Sequence, residues 1–121
     1  MVLVVDDESS VCGLVRSILE HAGHEVLEAS SATEALEILR ARSPEVLLTD
    51  IVMPGMNGLA LAAQAHQVRP SMPVIFMSGF ASQYADELDG SVCLRKPFTA
   101  SQLLLAIGEV VSMEKTVRRM P

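Results

Sequence analysis

Hydrophobic periodicity alternates along the chain between short strand-like runs and helical spacing, and this alternation limits the possible folds more than any other feature. The strand-like runs are Val2 to Val5, Val26 to Ala29, Val46 to Thr49, Val74 to Met77 and Val92 to Leu94. Between the first two, Val11, Leu14, Val15, Ile18, Leu19 and Ala22 recur every three or four residues, which predicts a helix with one buried face, stopped by Gly23. Ser31 and Glu34 read as a capping box opening a second helix through Ala35, Leu36, Ile38 and Leu39, ended by Ser43-Pro44. A third helix is predicted from about Gly58 to Arg69, where Pro70 stops it. A fourth is squeezed into Ala81 to Leu88, before Asp89-Gly90, and is expected to be short. Thr99 and Gln102 form another capping box, and Leu103, Ala106, Ile107, Val110 and Val111 give the fifth helix its buried stripe.

Strands alternating with helices, joined by right-handed crossovers, predict an α/β doubly wound parallel sheet with helices on both faces. The 121 residues suit one domain, and because half are hydrophobic and a fifth charged, a sizeable core is expected rather than disorder. With three Phe, one Tyr and no Trp, that core must be aliphatic. The domain is expected over residues 1–113, with Glu114 to Pro121 as a frayed polar tail carrying Lys115, Arg118 and Arg119. Because the chain ends soon after the fifth helix, no effector domain is expected to follow.

Nine basic against fifteen acidic residues give a net charge of -6, the wrong sign for direct binding to nucleic-acid phosphates. Cys12 and Cys93 are isolated thiols without the number or spacing of a disulfide framework or zinc site, so a reducing cytoplasm is the expected location. No run approaches the ~20 apolar residues of a membrane helix, and Asp6 and Asp7 interrupt the place where a signal peptide would still be apolar.

In doubly wound sheets the functional site lies at the carboxyl ends of the strands. That rule gathers Asp6, Asp7 and Glu8 after the first strand, Asp50 after the third, Ser78 and Gly79 after the fourth, and Lys96-Pro97 after the fifth. Carboxylates so close repel; two unit charges 4 Å apart cost ~4 kcal/mol at an effective dielectric of 20. The cluster must therefore protonate, pair with Lys96 or hold a cation. All-oxygen ligation selects Mg²⁺, Mn²⁺ or Ca²⁺ over softer metals. Mg²⁺ keeps several waters and leaves room for a phosphoryl oxygen, which makes phosphoryl transfer a candidate chemistry and Asp50 a candidate nucleophile.

Four ordered motifs carry a family resemblance: V-V-D-D-E at Val4 to Glu8, L-L-T-D-I-V-M-P-G-M-N-G at Leu47 to Gly58, M-S-G at Met77 to Gly79, and K-P-F at Lys96 to Phe98. Together they resemble the receiver domain of two-component response regulators, over essentially the whole chain. The resemblance implies a flavodoxin-like sheet of strand order 2-1-3-4-5 with five flanking helices. It implies that Asp50 accepts a phosphoryl group from a phosphohistidine of a partner histidine kinase or phosphotransfer protein. It also implies that Asp7, Asp50 and the backbone carbonyl of Val52 bind Mg²⁺ directly, with Asp6 acting through water. Ser78 would hydrogen-bond a phosphoryl oxygen and Lys96 would pair with its charge. The Lys96-Pro97 peptide is expected to be cis, and Gly58 to admit the third helix closely. The output face would be the fourth helix, fifth strand and fifth helix, docking a downstream protein, with the domain a monomer or weak dimer.

Two departures stand beside the resemblance. Cys93 occupies a position, three before the lysine, that is commonly aromatic and part of the switch, and the 18 positions from Ser78 to Lys96 are short for the family. Val52 and Phe80, two residues beyond Asp50 and Ser78, cannot hydrogen-bond an attacking water, which implies slow self-dephosphorylation. A haloacid-dehalogenase-type phosphohydrolase also uses an aspartyl phosphate, Mg²⁺, a hydroxyl and a lysine. It normally places its nucleophile on the first strand, however, with an acidic residue two positions later, where this chain has Val52. A flavodoxin-like redox protein would need a hydroxyl- and glycine-rich loop where Asp6, Asp7 and Glu8 stand. A receiver-like binding module without phosphorylation is a further alternative. His21, His24 and His66 read as structural, Met53 and Met56 as packing residues, and Cys12 as lying off the core stripe. A stand-alone receiver and the receiver of a hybrid sensor histidine kinase both remain open, with M-S-G-F, K-P-F and Met1 abutting the first strand favouring the latter.

Overall fold

A computed structural model describes residues 1–79 and 91–119, with side chains to Val111. Five strands, β1 (Val2–Val5), β2 (Val26–Ala29), β3 (Val46–Asp50), β4 (Val74–Ser78) and β5 (Val92–Arg95), form one sheet in the order β2-β1-β3-β4-β5. All four pairings are parallel, with Val2 opposite both Val26 and Val46 and Ile75 opposite Val92. The described helices are α1 (Ser9–His21), α2 (Ala32–Ala41), α3 (Gly58–Val68) and α4 (Ala100–Arg119). The helix expected over Ala81 to Leu88 lies outside the described residues.

Because side chains alternate along a strand, each strand feeds both faces of the sheet. Val2, Val4, Val46 and Leu48 pack with Val15 and Leu19 of α1 and Leu103 and Ile107 of α4. Leu3, Val5 and Leu47 pack with Ala35 and Leu39 of α2 and Leu61 and Ala65 of α3. Strands buried on both faces explain the continuous aliphatic runs.

Local chemistry sets the helix starts. Ser31 Oγ accepts the Glu34 N–H at 3.1 Å, while the Glu34 carboxylate reaches back to the Ser30 N–H rather than to that of Ser31. At α4 the box closes in both directions, with Gln102 N–H on Thr99 Oγ1 at 3.1 Å and Thr99 N–H on Gln102 Oε1 at 2.8 Å. Asn57 caps α3 by accepting the Ala60 N–H at 2.9 Å.

One expectation needs correction. The buried face of α1 is Cys12, Val15 and Leu19, flanked by Val11 and Ile18, whereas Leu14 is 58% exposed. Helix α1 is rotated so that the small Cys12 side chain sits beneath the β1 and β2 strand ends, its thiol donating to the Asp6 carbonyl at 3.5 Å. Helix α4 runs to Arg119. Among the described residues no helix is long and apolar enough to cross a membrane.

The approach of α3 to β3 depends on one glycine. A Cβ at Gly58 would lie 2.1 Å from the Asp50 carbonyl oxygen, a backbone atom that cannot move aside cheaply. Gly58→Ala is therefore expected to cost at least ~2 kcal/mol, as overpacking against a fixed neighbour does. Urea denaturation measures this, and an unchanged midpoint would refute the close-approach argument.

Candidate phosphoacceptor site

The carboxyl ends of four strands meet in a cleft of about 280 Å³ lined by Asp7, Glu8, Asp50, Val52, Ser78, Gly79 and Lys96. Asp6 is joined to it through Lys96. Its carboxylate is fully buried; Oδ1 accepts the Glu8 N–H at 2.9 Å and Oδ2 accepts from Lys96 Nζ at 2.9 Å. Lys96 Nζ also lies 3.5 Å from Asp50 Oδ1, so one ammonium bridges carboxylates delivered by β1 and β3. The Lys96-Pro97 peptide is cis, as expected. The Lys96 N–H donates to the Ser78 carbonyl at 3.0 Å, tying the end of β5 to β4.

One oxygen from each of Asp6, Asp7 and Asp50 falls within 4.8 Å of the others. Asp6 and Asp50 are buried and Asp7 is exposed. A hard, all-oxygen donor set with one solvent-facing member is consistent with a divalent cation that retains water ligands.

Electrostatics in the cleft follow from burial. Desolvation and the neighbouring charge of Asp6 push the Asp50 carboxyl above its ordinary range, against the lowering effect of Lys96. Burial alone would lower the Lys96 ammonium, but its hydrogen bond to Asp6 and the charges of Asp50 and Asp6 prevail and raise it. Lys96 therefore stays cationic. Burial, with the charges of Asp6 and Glu28, pushes the Cys12 thiol up to about 11, so it is a neutral packing group.

Comparison with known proteins agrees with this geometry. Residues 2–108 match the response regulator receiver domain. The chain belongs to the response regulator receiver family. It is 36% identical to the DNA-binding transcriptional regulator NtrC of Escherichia coli K12, over 93% of this chain and 25% of that protein. It is 37% identical to the sensor kinase CckA of Brucella abortus, over 93% of this chain and 13% of that protein. Thus the chain spans about a quarter or less of the length of these curated relatives. Among solved structures, the CheY-like receiver domain protein of Methanospirillum hungatei superposes with a TM-score of 0.90 at 30% identity, covering 95% of each chain. This receiver is a phosphoacceptor regulatory domain of two-component signal transduction and not a conventional enzyme, which removes the phosphohydrolase and flavodoxin-like redox alternatives.

The receiver's cleft brings together all the strand-end residues expected from the sequence: Asp6, Asp7, Asp50, Val52, Ser78 and Lys96. Phe80 lies outside the described residues. Cys93 is half-buried against the Ile51, Ala62 and Phe76 cluster, and Met53, in the β3–α3 loop, is a buried packing residue of the cluster that includes Leu61 and Ala65. Sequence reasoning missed Thr49, whose buried hydroxyl donates to the Asp50 carbonyl at 2.9 Å. The available signal was a lone hydroxyl in an otherwise aliphatic run, Val46 to Leu48.

A raised Asp50 carboxyl has a defined linkage sign. The native state binds the proton more tightly than the unfolded state, so stability falls as pH rises from the unfolded value of 3.8 through the folded value. In chelator, Asp50→Asn is expected to raise the melting temperature at pH 7 by roughly a few degrees, with the gain shrinking toward pH 4. Thermal melts of both proteins across that range check it, and a gain that grows on acidification contradicts the assignment.

Proposed function

We propose that this receiver takes a phosphoryl group onto Asp50 from a phosphohistidine of a histidine kinase or phosphotransfer protein, and that the modification resets a protein-binding surface. The observation that carries the reading is the Lys96 ammonium held between Asp6 and Asp50, inside a cleft open to solvent at Asp7. An Asp50 carboxylate oxygen attacks phosphorus, the phosphorus–nitrogen bond breaks, and the imidazole leaves with the electron pair and takes a proton from solvent. Burial keeps Asp50 more basic than an ordinary carboxylate, which favours it as the attacking group. Lys96 pairs with the incoming charge, and the Ser78 hydroxyl donates to a phosphoryl oxygen.

Asp7, Asp50 and the Val52 carbonyl would hold Mg²⁺, for which Mn²⁺ or Ca²⁺ could substitute. When bound, the ion offsets charge on the phosphoryl oxygens. Both oxygens of Asp6 already accept protein donors, Glu8 N–H and Lys96 Nζ, which supports contact through water for that residue. The added charge of about -1.5 to -2 draws Lys96 and Ser78 toward Asp50 and so couples the site to β4 and β5. The proposed location is the cytoplasm. Both a stand-alone regulator and the receiver of a hybrid kinase fit this reading.

Incubation with acetyl phosphate and Mg²⁺ is expected to add one phosphoryl group, seen by intact-protein mass. Asp50→Asn or a chelator should abolish it, and Lys96→Met should slow it by roughly a hundredfold, within the range for loss of one preorganised electrostatic contact. No gain of mass by a folded wild type would overturn the reading.

Persistence of the phosphoryl group is a second expected outcome. Val52 lines the cleft with a half-exposed aliphatic side chain that cannot orient water. Val52→Asn is expected to shorten the aspartyl-phosphate lifetime several-fold. Equal decay of the two phosphoproteins, followed by mass after removal of donor, would refute it.

A further inference from the structure

Among the described residues four polar or charged side chains are buried: Asp6, Asp50, Ser78 and Thr49. The first three belong to the strand-end site; Thr49 does not line it. Its side chain is fully buried on β3, in register with Val5 and Phe76, on the same face as Leu47 and the aliphatic core around it. A valine would fill that space with no hydroxyl to desolvate, so packing gives no reason for threonine.

The hydroxyl donates to the Asp50 carbonyl oxygen at 2.9 Å. The same oxygen is the atom that a Cβ on Gly58 would meet at 2.1 Å. At the other end of this peptide, the Ile51 N–H donates to the Met77 carbonyl at 3.1 Å. The peptide plane between the phosphoacceptor and Ile51 is therefore held at its carbonyl by Thr49, backed by Gly58, and held at its N–H by β4. Rotating that plane would turn Asp50 about its own backbone and displace Val52, two residues further on.

We propose that Thr49 is a positioning residue for phosphoryl transfer, its hydroxyl setting the Asp50–Ile51 peptide so that the Asp50 carboxylate and the Val52 carbonyl address one cation. This rests on the reading of Asp50 and Val52 given above. Thr49 touches neither phosphoryl group nor metal; it acts through the backbone.

The test compares wild type with Thr49→Val, which keeps shape and loses the hydroxyl, and Thr49→Ser, which keeps the hydroxyl and loses a methyl. Mg²⁺ alone is titrated calorimetrically, acetyl phosphate labelling is then timed by intact mass, and thermal melts report folding. Thr49→Val is expected to fold as wild type does, to bind Mg²⁺ roughly three- to tenfold more weakly and to label more slowly by a similar factor, the range one buried hydrogen bond commands. Thr49→Ser should retain both properties. If Thr49→Val does not fold, Thr49→Ala set against Thr49→Ser makes the same comparison.

Equal Mg²⁺ affinity in Thr49→Val and wild type would overturn the proposal. So would a Thr49→Ser variant as impaired as Thr49→Val, which would assign the effect to the methyl, or a wild type that binds no Mg²⁺. A wild type that binds Mg²⁺ but takes no phosphoryl group would instead refute the function proposed for Asp50, while the Mg²⁺ comparison would still decide the role of Thr49.

Discussion

Two carboxylates removed from water, those of Asp6 and Asp50, repel one another, and the Lys96 ammonium at 2.9 Å and 3.5 Å makes their proximity tolerable. The rest of the cleft follows from that contact. Strand β5 lies three strand spacings from β1, roughly 14 Å, so the bridging group must be a long side chain leaning across the end of β4. Strand β4 ends there at Ser78, which lines the cleft together with the following Gly79. A shorter cation could not span the gap.

The same contact explains why the site is poised. Each oxygen of Asp6 already accepts a protein donor, whereas Asp50 keeps a raised proton affinity and faces solvent-accessible space shared with Asp7. Each incoming positive charge relieves repulsion between the buried carboxylates, and each incoming phosphoryl group finds an ammonium already in place. The stability sacrificed to burying these groups is recovered in two aliphatic layers, one on each face of the sheet, that hold no other buried charge among the described residues.

Much of this was legible beforehand. The five strands appear within a residue of their expected limits, because fully buried parallel strands must be aliphatic on both faces. The strand-end rule gathered Asp6, Asp7, Asp50, Ser78 and Lys96 without any knowledge of distance. The face of α1 was less legible. A helical stripe containing Leu14 and one containing Cys12 fit the same periodicity, and the choice was made by how α1 packs under the β1 and β2 ends, a tertiary matter. Thr49 escaped notice for a related reason, since a hydroxyl's partner is a backbone atom that no motif records.

The sequence by itself determined the alternation of elements, the helix caps at Ser31 and Thr99, and the identity of the groups at the strand ends, because these depend on periodicity and on bonds between near neighbours. Only the tertiary structure decided which oxygen of Asp6 meets Lys96, how closely Gly58 lets α3 approach the Asp50 carbonyl, and which side of α1 is buried. Those outcomes bring together atoms up to 90 positions apart, and their separation is set by packing across the whole sheet rather than by any local preference of the chain.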